Sequence, residues 1–99
     1  MSLDLSIVIP VYNEAENLSE LHGELAAVLE GRGLSYELIF VDDGSTDDTF
    51  SRLNQLYVVD SHVCVVRFRR NFGQTAAFAA GFSRAQGKVI VTADGDLQN

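Results

Sequence analysis

Several residue types are scarce in this sequence, and each scarcity excludes a class of protein. The 99 residues contain one cysteine, one proline and no tryptophan. A single cysteine, Cys64, cannot form an internal disulfide, so the chain is not a disulfide-stabilised secreted domain. Because Cys64 lies in an apolar run, we interpret it as a core residue rather than a reactive thiol. We therefore expect a reducing, cytoplasmic setting.

Long apolar stretches and positive charges are also scarce. No apolar run approaches the roughly 20 residues that cross a bilayer, and the N-terminus lacks the basic flank of a signal peptide. Lysine and arginine number 7 against 14 aspartate and glutamate residues, for a formal net charge of −7. That balance argues against a nucleic-acid-binding surface. Arg67, Arg69 and Arg70 nevertheless cluster, which indicates either a solvated strand end or a site for an anionic ligand.

What the sequence does contain is a regular alternation of short apolar runs and helical stripes. The apolar runs predict four strands, at 5–11, 36–41, 63–68 and 89–93. Strands that are apolar throughout, joined by helices, favour a parallel sheet covered on both faces, which is a three-layer α/β sandwich. In such sheets, ligands bind outside the carboxyl ends of the strands.

Three helical stripes connect the predicted strands. The first carries leucines at helical spacing from Leu18 to Leu29, and the third is predicted over about 74–86. The predicted N-caps are Asn13 for the first helix and Ser45 or Thr46 for the second. The predicted C-terminal stops are Gly31 with Gly33, and Gly87.

Polar residues collect directly after each predicted strand. These segments are 10–14, 42–47, 69–73 and 94–98. Because the strands are expected to be parallel, the four segments should share one edge of the sheet, where a ligand would bind.

The segment after the fourth strand suggests a metal site. Residues two apart in an extended chain point the same way, so Asp94 and Asp96 would present both carboxylates to one side. Two close carboxylates repel each other unless a proton or cation intervenes. Oxygen ligands suit Mg²⁺ or Mn²⁺, and Gln98 could supply a third oxygen. Taken alone, this short pattern is more typical of a solvated turn, but its position directly after a buried strand favours the metal site.

The segment after the second strand adds acidic residues to the same edge. Asp42 can accept hydrogen bonds from a base or ribose, while Asp47 suits the start of a helix. The segment is also typical turn chemistry. Tyr12, after the first strand, offers either a face for stacking a nucleobase or a partly buried structural ring. Asp42, Asp43, Asp94 and Asp96 would together repel a diphosphate unless a divalent cation were bound. These four carboxylates therefore favour metal-dependent chemistry with a diphosphate leaving group.

Other chemistries find little support. The sequence has no G-x-G-x-x-G after the first strand and no Walker A pattern, which excludes the usual dinucleotide and P-loop sites. His22 and His62 have no cysteine or histidine neighbours at metal-ligand spacing. Two other functions remain open beside a transferase. One is a sugar nucleotidyltransferase, although this sequence lacks the Gly-rich, basic loop expected after the first strand of such an enzyme. The other is a non-catalytic nucleotide-binding or regulatory α/β module.

The four ordered segments resemble those of family 2 glycosyltransferases. Residues 7–14 (IVIPVYNE) and 41–47 (VDDGSTD) are similar to the first two signatures of that family. Residues 70–73 (RNFG) and 94–98 (DGDLQ) resemble the dolichol-phosphate mannose synthase-like branch, which includes bacterial polyprenyl-phosphate glycosyltransferases. The resemblance covers essentially the whole chain.

This resemblance implies a GT-A fold with strand order 3-2-1-4, and inverting transfer of a sugar from a UDP- or GDP-sugar to a polyprenyl phosphate. The implied nucleotide-binding positions are Pro10, Tyr12, Glu14, Asp42, Asp43 and Asp94. The implied metal positions are Asp94, Asp96 and Gln98, with Mg²⁺ or Mn²⁺ as cofactor. Arg70 and Asn71 are candidate phosphate contacts. Gln74 departs from the lysine of many relatives.

The same resemblance predicts that the chain is the N-terminal, nucleotide-sugar-binding half of a longer glycosyltransferase domain, whose catalytic residues lie beyond Asn99. We expect the longer protein to act at the cytoplasmic face of a membrane. The 99-residue chain itself is expected to bind the donor without transferring sugar. It is also expected to form homodimers through the fourth strand, which would become an unprotected sheet edge.

Overall fold

The structure is a computed structural model, which describes residues 3–93. These residues form one four-stranded sheet and three helices. In chain order the elements are β1 Leu3–Val11, α1 Leu18–Gly31, β2 Tyr36–Asp42, α2 Thr49–Val59, β3 Val63–Arg67, α3 Gln74–Arg84 and β4 Gly87–Thr92. The predicted alternation of strands and helices is confirmed.

All neighbouring strands of the sheet run parallel, in the order β3-β2-β1-β4. The order implied by the resemblance is therefore confirmed. Leu5 of β1 lies opposite Tyr36 of β2 and Val89 of β4, while Leu38 of β2 lies opposite Val63 of β3. This register brings the carboxyl ends of β1, β2 and β3 to the same edge, called the carboxyl edge below.

One face of the sheet packs against α1 and α2. Ile9 and Phe40 are fully buried on this face and form one core cluster with Leu18 of α1 and Leu53 of α2. Burying side chains of this size contributes about 1.5–3 kcal/mol each to folding. This cluster is the larger of the two described cores and fixes both helices against the first three strands.

The opposite face packs against α3. Val8 and Val41 form a second cluster with Ala77, and all three side chains are fully buried. At Gly81 an added Cβ would lie 2.2 Å from Cγ1 of Val8, so α3 approaches β1 too closely for any larger residue. Helices on both faces confirm the predicted three-layer sandwich.

Strand β4 is more exposed to solvent than β1, β2 and β3. It is the outermost strand on its side of the described sheet, and Val89, Ile90 and Val91 are 56%, 43% and 42% exposed. Within residues 3–93, no helix combines the length and hydropathy needed to cross a bilayer.

The predicted N-caps of the first two helices were wrong. Helix α1 begins at Leu18 after Asn17, and α2 begins at Thr49 after Asp48. Asn13 instead adopts a positive φ of 52°, and its side chain bonds to the loop after β2. Because the loops at the carboxyl edge bond to one another, the polar residues assigned to capping serve cross-loop contacts.

The end of the third helix was also predicted wrongly. Helix α3 ends at Arg84, and Gly87 is the first residue of β4 rather than a helix stop. The N–H of Gln86 donates to Oε2 of the buried Glu37 at 2.7 Å, and the N–H of Gly87 donates to Oγ of Ser6 at 2.7 Å. An added Cβ at Gly87 would lie 2.6 Å from the backbone of β1, so this glycine permits close strand pairing.

Candidate functional site

Three loops meet at the carboxyl edge, as the sequence predicted: 12–17 after β1, 43–48 after β2 and 68–73 after β3. Asn13 joins the first two loops. Its N–H donates to Oγ of Ser45 at 2.9 Å, and its Oδ1 accepts from the N–H of Thr46 at 2.8 Å. The N–H of Glu14 donates to Oγ1 of Thr49 at 3.0 Å. These bonds hold the first two loops in a fixed relation.

Asp43 joins the second loop to the third. Its carboxylate is 5% exposed and accepts from the N–H of Phe72 at 2.8 Å, the N–H of Gly73 at 3.1 Å and Nδ2 of Asn71 at 3.2 Å. Gly44 lies directly against this loop, because an added Cβ would fall 2.2 Å from the carbonyl carbon of Arg70. The carboxyl edge is therefore a hydrogen-bonded platform rather than three independent turns.

Asp42, the last residue of β2, is fully buried and only half satisfied. Its Oδ1 accepts from the N–H of Ser45 at 3.0 Å, but Oδ2 has no hydrogen-bond partner. Among residues 3–93, the Tyr36 hydroxyl is the other buried side-chain oxygen without a partner. A buried acceptor without a donor costs about 1–3 kcal/mol, so a ligand hydroxyl or N–H that reached Oδ2 would recover that cost.

A small cavity opens on the same platform. It has a volume of about 140 Å³ and is lined by Pro10, Val11, Tyr12, Asp43 and Gln74. The Tyr12 side chain is 44% exposed, so part of its ring can stack on a flat ligand. Three residues predicted to bind nucleotide thus lie around one cavity, and Gln74 lines it as well.

Glu14 lies in the first loop but does not line this cavity. Its Oε2 accepts from Nδ2 of Asn17 at 2.8 Å. Asp47 supports the second loop: partial burial opposes its ionisation, but the side chain and backbone of Thr49 donate to it and hold the pKa of Asp47 below its ordinary value.

Two of the three clustered arginines, Arg69 and Arg70, line a second and larger cavity, whereas Arg67 does not. A volume of about 380 Å³ is lined by Arg69, Arg70 and Phe72, and the Arg70 guanidinium lies 4.7 Å from the centre of the Phe72 ring. Asn71 uses its amide nitrogen on Asp43, with both the backbone and the side-chain oxygen at 3.2 Å. Within residues 3–93 Arg70 contacts the Phe72 ring and forms no salt bridge, so its guanidinium can contact an anion, while the amide donors of Asn71 bond to Asp43.

The predicted metal residues Asp94, Asp96 and Gln98 lie outside the described residues. The described chain ends at Ala93, whose N–H donates to the carbonyl of Val8 at 2.9 Å, so β4 leaves the sheet beside β1. Within residues 3–93, no three His, Cys, Asp or Glu side chains are grouped to hold a metal ion. The metal assignment stays a prediction.

Sequence reasoning missed the contacts that build the platform. The sequence pattern predicts an ordinary helix cap at Asn13 and an ordinary turn at Gly44, yet both adopt a positive φ and contact a neighbouring loop. A signal was present, since asparagine and glycine tolerate the left-handed region better than other residues. The residue types alone do not indicate which loop Asn13 or Gly44 contacts.

Comparison with known proteins decides the family. A sequence model described as glycosyl transferase family 2 matches residues 6–99. The chain belongs to glycosyl transferase family 2. The family 2 assignment accounts for the ordered polar segments after each strand, and it confirms the resemblance drawn from those segments.

Similar family 2 sequences are much longer than this chain. A glycosyltransferase of Synechocystis sp. is 42% identical over 99 residues, which cover 100% of this chain and 31% of that protein. An undecaprenyl-phosphate 4-deoxy-4-formamido-L-arabinose transferase of Enterobacter sp. is 48% identical over 96 residues, which cover 96% of this chain and 29% of that protein. The chain thus spans about three tenths of the length of these curated relatives.

Solved structures of other proteins share the fold. The mannosyltransferase PcManGT from Pyrobaculum calidifontis, solved with GDP-Man and Mn²⁺, has a TM-score of 0.76 at 23% identity over 97% of this chain and 28% of its own. TarS 1-349 of S. aureus, solved with UDP, has a TM-score of 0.79 at 23% identity over 95% of this chain and 28% of its own. These likenesses confirm the GT-A fold.

Proposed function

We propose that this family 2 chain forms the donor-nucleotide site of a metal-dependent, inverting glycosyltransferase that uses a UDP- or GDP-sugar. The observation that carries the proposal is the cavity lined by Tyr12 and Asp43, together with the buried Asp42 that precedes Asp43 at the end of β2. A nucleobase stacked on Tyr12 would be held at the carboxyl edge, and a base N–H or ribose hydroxyl is the kind of donor that Oδ2 of Asp42 lacks.

A divalent cation, Mg²⁺ or Mn²⁺, fits this site on chemical grounds. Asp42 and Asp43 are buried carboxylates that would repel a diphosphate. Asp94, Asp96 and Gln98 would supply the oxygen ligands that a hard cation prefers, and in sequence they lie within five residues of the Ala93 that pairs with β1. When bound, the cation would neutralise the diphosphate leaving group. PcManGT, solved with GDP-Man and Mn²⁺, supports this reading.

The acceptor is proposed to be a polyprenyl phosphate, and the longer protein is proposed to act at the cytoplasmic face of a membrane. Relatives at 44–48% identity are named undecaprenyl-phosphate sugar transferases, which supports this acceptor class. Because this chain spans about three tenths of their length, we expect the 99 residues to bind donor without transferring sugar. Transfer of sugar from a UDP- or GDP-sugar to undecaprenyl phosphate by the pure chain would contradict that expectation.

The metal-dependent site is tested by isothermal titration calorimetry with UDP and GDP. We expect Mn²⁺ to strengthen nucleotide binding by at least about tenfold over EDTA, since it offsets the charge repulsion at the site. Asp94→Asn and Asp96→Asn should remove this enhancement. Asp48→Asn is the control, because Asp48 is an exposed aspartate that precedes α2 and lines no described cavity.

Two outcomes would count against the proposal. Equal nucleotide affinity with Mn²⁺ and with EDTA would contradict metal dependence and favour the non-catalytic nucleotide-binding module instead. Equal loss of the Mn²⁺ enhancement in Asp48→Asn and Asp94→Asn would show that general attraction of the cation to an acidic chain, rather than a metal site, controls binding.

We also propose that the 99-residue chain self-associates through the exposed edge of β4. Ala93 donates its N–H to β1, so alternation along the strand directs the N–H of Ile90 away from β1. Ile90→Pro would block that edge without removing a bond to β1. Light scattering should show a dimer for the wild-type chain at millimolar concentration and a monomer for Ile90→Pro. A wild-type monomer would refute the proposal.

A further inference from the structure

The outer side of β3 forms a groove, called the β3 groove below, that is separate from the nucleotide site. It has a volume of about 390 Å³. Phe50 and Tyr57 of α2 form one wall, Val65 of β3 forms the floor, and Arg67 and Arg84 also line it. No residue that lines the Tyr12 cavity lines this groove. Its volume is in the range of ligand-binding pockets.

The floor of the β3 groove is an open strand edge. In the described sheet β3 is outermost, with β2 as its single neighbour. The carbonyl of His62 accepts from Leu38 of β2, and the N–H of Phe68 donates to Asp42 of β2. Because backbone groups alternate along a strand, the N–H and carbonyl groups of Val65 and Arg67 point away from β2. They can pair with another strand.

The groove is also positively charged in an acidic protein. Within residues 3–93, neither Arg67 nor Arg84 forms a salt bridge, because the described salt bridges join Asp60 to two histidines. The Arg67 guanidinium lies 3.9 Å from the centre of the Phe50 ring, and Nη2 of Arg84 lies 3.7 Å from Sγ of Cys64. No arginine or lysine within residues 3–93 forms a salt bridge, so the groove is distinguished by having two guanidinium groups in its lining in a chain of net charge −7.

We propose that the β3 groove binds an acidic peptide segment, which adds to β3 as an extended strand. The backbone of the segment would pair with Val65 and Arg67. Arg84 lies beside Cys64 on the α3 face of the sheet, so carboxylates on that side of the segment would pair with it. Arg67, beside Phe50 on the α2 face, adds positive charge at the end of β3. Its apolar side chains would pack against Phe50 and Tyr57. Strand β3 has 5 residues, so a segment of about five residues, at roughly 3.3 Å per residue, matches its length.

The charge requirement is tested with two fluorescent peptides and anisotropy measurements. One peptide alternates glutamate with valine over five residues, and the other has lysine in place of glutamate. We expect the glutamate peptide to bind at least about tenfold more tightly at low salt, since ion pairing with Arg84 and the positive potential of both arginines favour it. The double variant Arg67→Gln/Arg84→Gln should lose this preference.

The matched control for that variant is Arg32→Gln/Arg52→Gln. It changes the net charge by the same amount, but Arg32 and Arg52 do not line the groove. This control should keep the preference for the glutamate peptide. Equal losses in both double variants would overturn the proposal, because they would show that net charge alone attracts the peptide.

The strand-addition requirement is tested separately. Val65→Pro removes an outward N–H and leaves the bonds to β2 intact, so it should weaken binding of the glutamate peptide by at least about tenfold. A glutamate peptide with alternate N-methylated residues tests the same bonds on the unchanged protein and should bind as weakly. Unchanged binding of the methylated peptide would overturn the proposal. Complete displacement of the peptide by millimolar phosphate would do so too, since it would indicate an anion site only.

Discussion

At the scale of single residues, Asp42 and Asp43 are neighbours with different tasks. The Asp43 carboxylate accepts hydrogen bonds from the loop after β3, whereas one oxygen of Asp42 has no partner. Asp43→Asn should therefore destabilise the fold by about 1–3 kcal/mol, because an amide nitrogen would face the N–H donors of Asn71 and Gly73. Asp42→Asn should cost less than about 1 kcal/mol and should weaken UDP or GDP binding.

Urea unfolding at pH 7 and a nucleotide titration would check both aspartate variants. The two measurements are needed together, since a loss of binding in an unfolded variant carries no information. A larger stability loss for Asp42→Asn than for Asp43→Asn would contradict these assignments.

Gly44 makes a second prediction at the residue scale. It has a φ of 73°, and an added Cβ would lie 2.2–2.6 Å from backbone atoms of Arg70 and Asn71. Gly44→Ala should destabilise the protein by about 2–4 kcal/mol, because the backbone strain and the clash act together. Gly23→Ala is the control: Gly23 lies inside α1 with nothing within 4 Å of its added Cβ, so alanine should stabilise by about 0.5–1 kcal/mol. Similar midpoints of urea unfolding for both variants would refute the assigned contact.

At the scale of elements, α1, α2 and β3 are joined by a single carboxylate at the edge opposite the nucleotide site. Asp60, after α2, accepts from Nε2 of His22 on α1 and lies 2.7 Å from Nδ1 of His62, which precedes β3. The His62 ring stacks on Tyr36, with ring centroids 4.0 Å apart. This histidine–aspartate link ties two helices to the end of the sheet.

The link predicts a pH dependence of stability. Burial opposes the ionisation of Asp60, but the N–H of His62 and the imidazoles of His22 and His62 outweigh it and lower the pKa of Asp60 to about 2. Since this pKa is below that of the unfolded chain, near 3.8, the ionised carboxylate stabilises the fold above pH 4. That stabilisation, about 2 kcal/mol, is lost as the pH falls toward 2.

Asp60→Asn tests this dependence. The variant should be less stable than the wild type by about 2 kcal/mol at pH 7, and the difference should shrink between pH 4 and pH 2. Urea unfolding at pH 7, 4 and 3 measures it, with Asp48→Asn as the exposed control. A difference that stays constant over this range would show that the Asp60 contacts, rather than its charge, stabilise the protein.

The elements themselves were largely predictable, because each strand is a short apolar run and each helix has a stripe of apolar residues. The helix starts were not predictable. Asn13, Ser45 and Thr46 are all good caps in isolation, yet each bonds to another loop when the strands pair in parallel. The sequence pattern predicts a helix stop at Gly87, but α3 ends earlier and the N–H of Gln86 bonds to the buried Glu37. Because Glu37 lies 49 residues away in sequence, the local pattern does not indicate this bond.

The candidate site was also predictable in part. Parallel strands bring their carboxyl ends together, so Pro10, Tyr12 and Asp43 were expected to meet, and they line one cavity. The loop after β3 bonds to Asp43 and leaves Oδ2 of Asp42 without a partner, and this difference depends on where that loop lies. The sequence pattern does not indicate the position of that loop.

At the scale of the whole molecule, the candidate nucleotide site and the histidine–aspartate link lie at opposite edges of the sheet. Acidic loops and the Tyr12 cavity lie at the carboxyl edge, while the histidine–aspartate link lies at the opposite edge. The two open strand edges, β3 and β4, differ in charge: Arg67 ends β3, whereas β4 exposes an apolar run from Val89 to Val91. The open edges are therefore expected to meet different partners, an acidic strand at β3 and a second copy at β4.

The most direct test of the central claim is a titration of the ¹⁵N-labelled chain with UDP and with GDP in the presence of Mg²⁺, followed by amide NMR. The account predicts that the shifts concentrate at Tyr12, Asp43 and Gln74, around the cavity at the carboxyl edge. The amides of Asp60 and His62, at the opposite edge, should stay unchanged. Shifts that cluster at the opposite edge, or no shifts at millimolar nucleotide, would contradict the account.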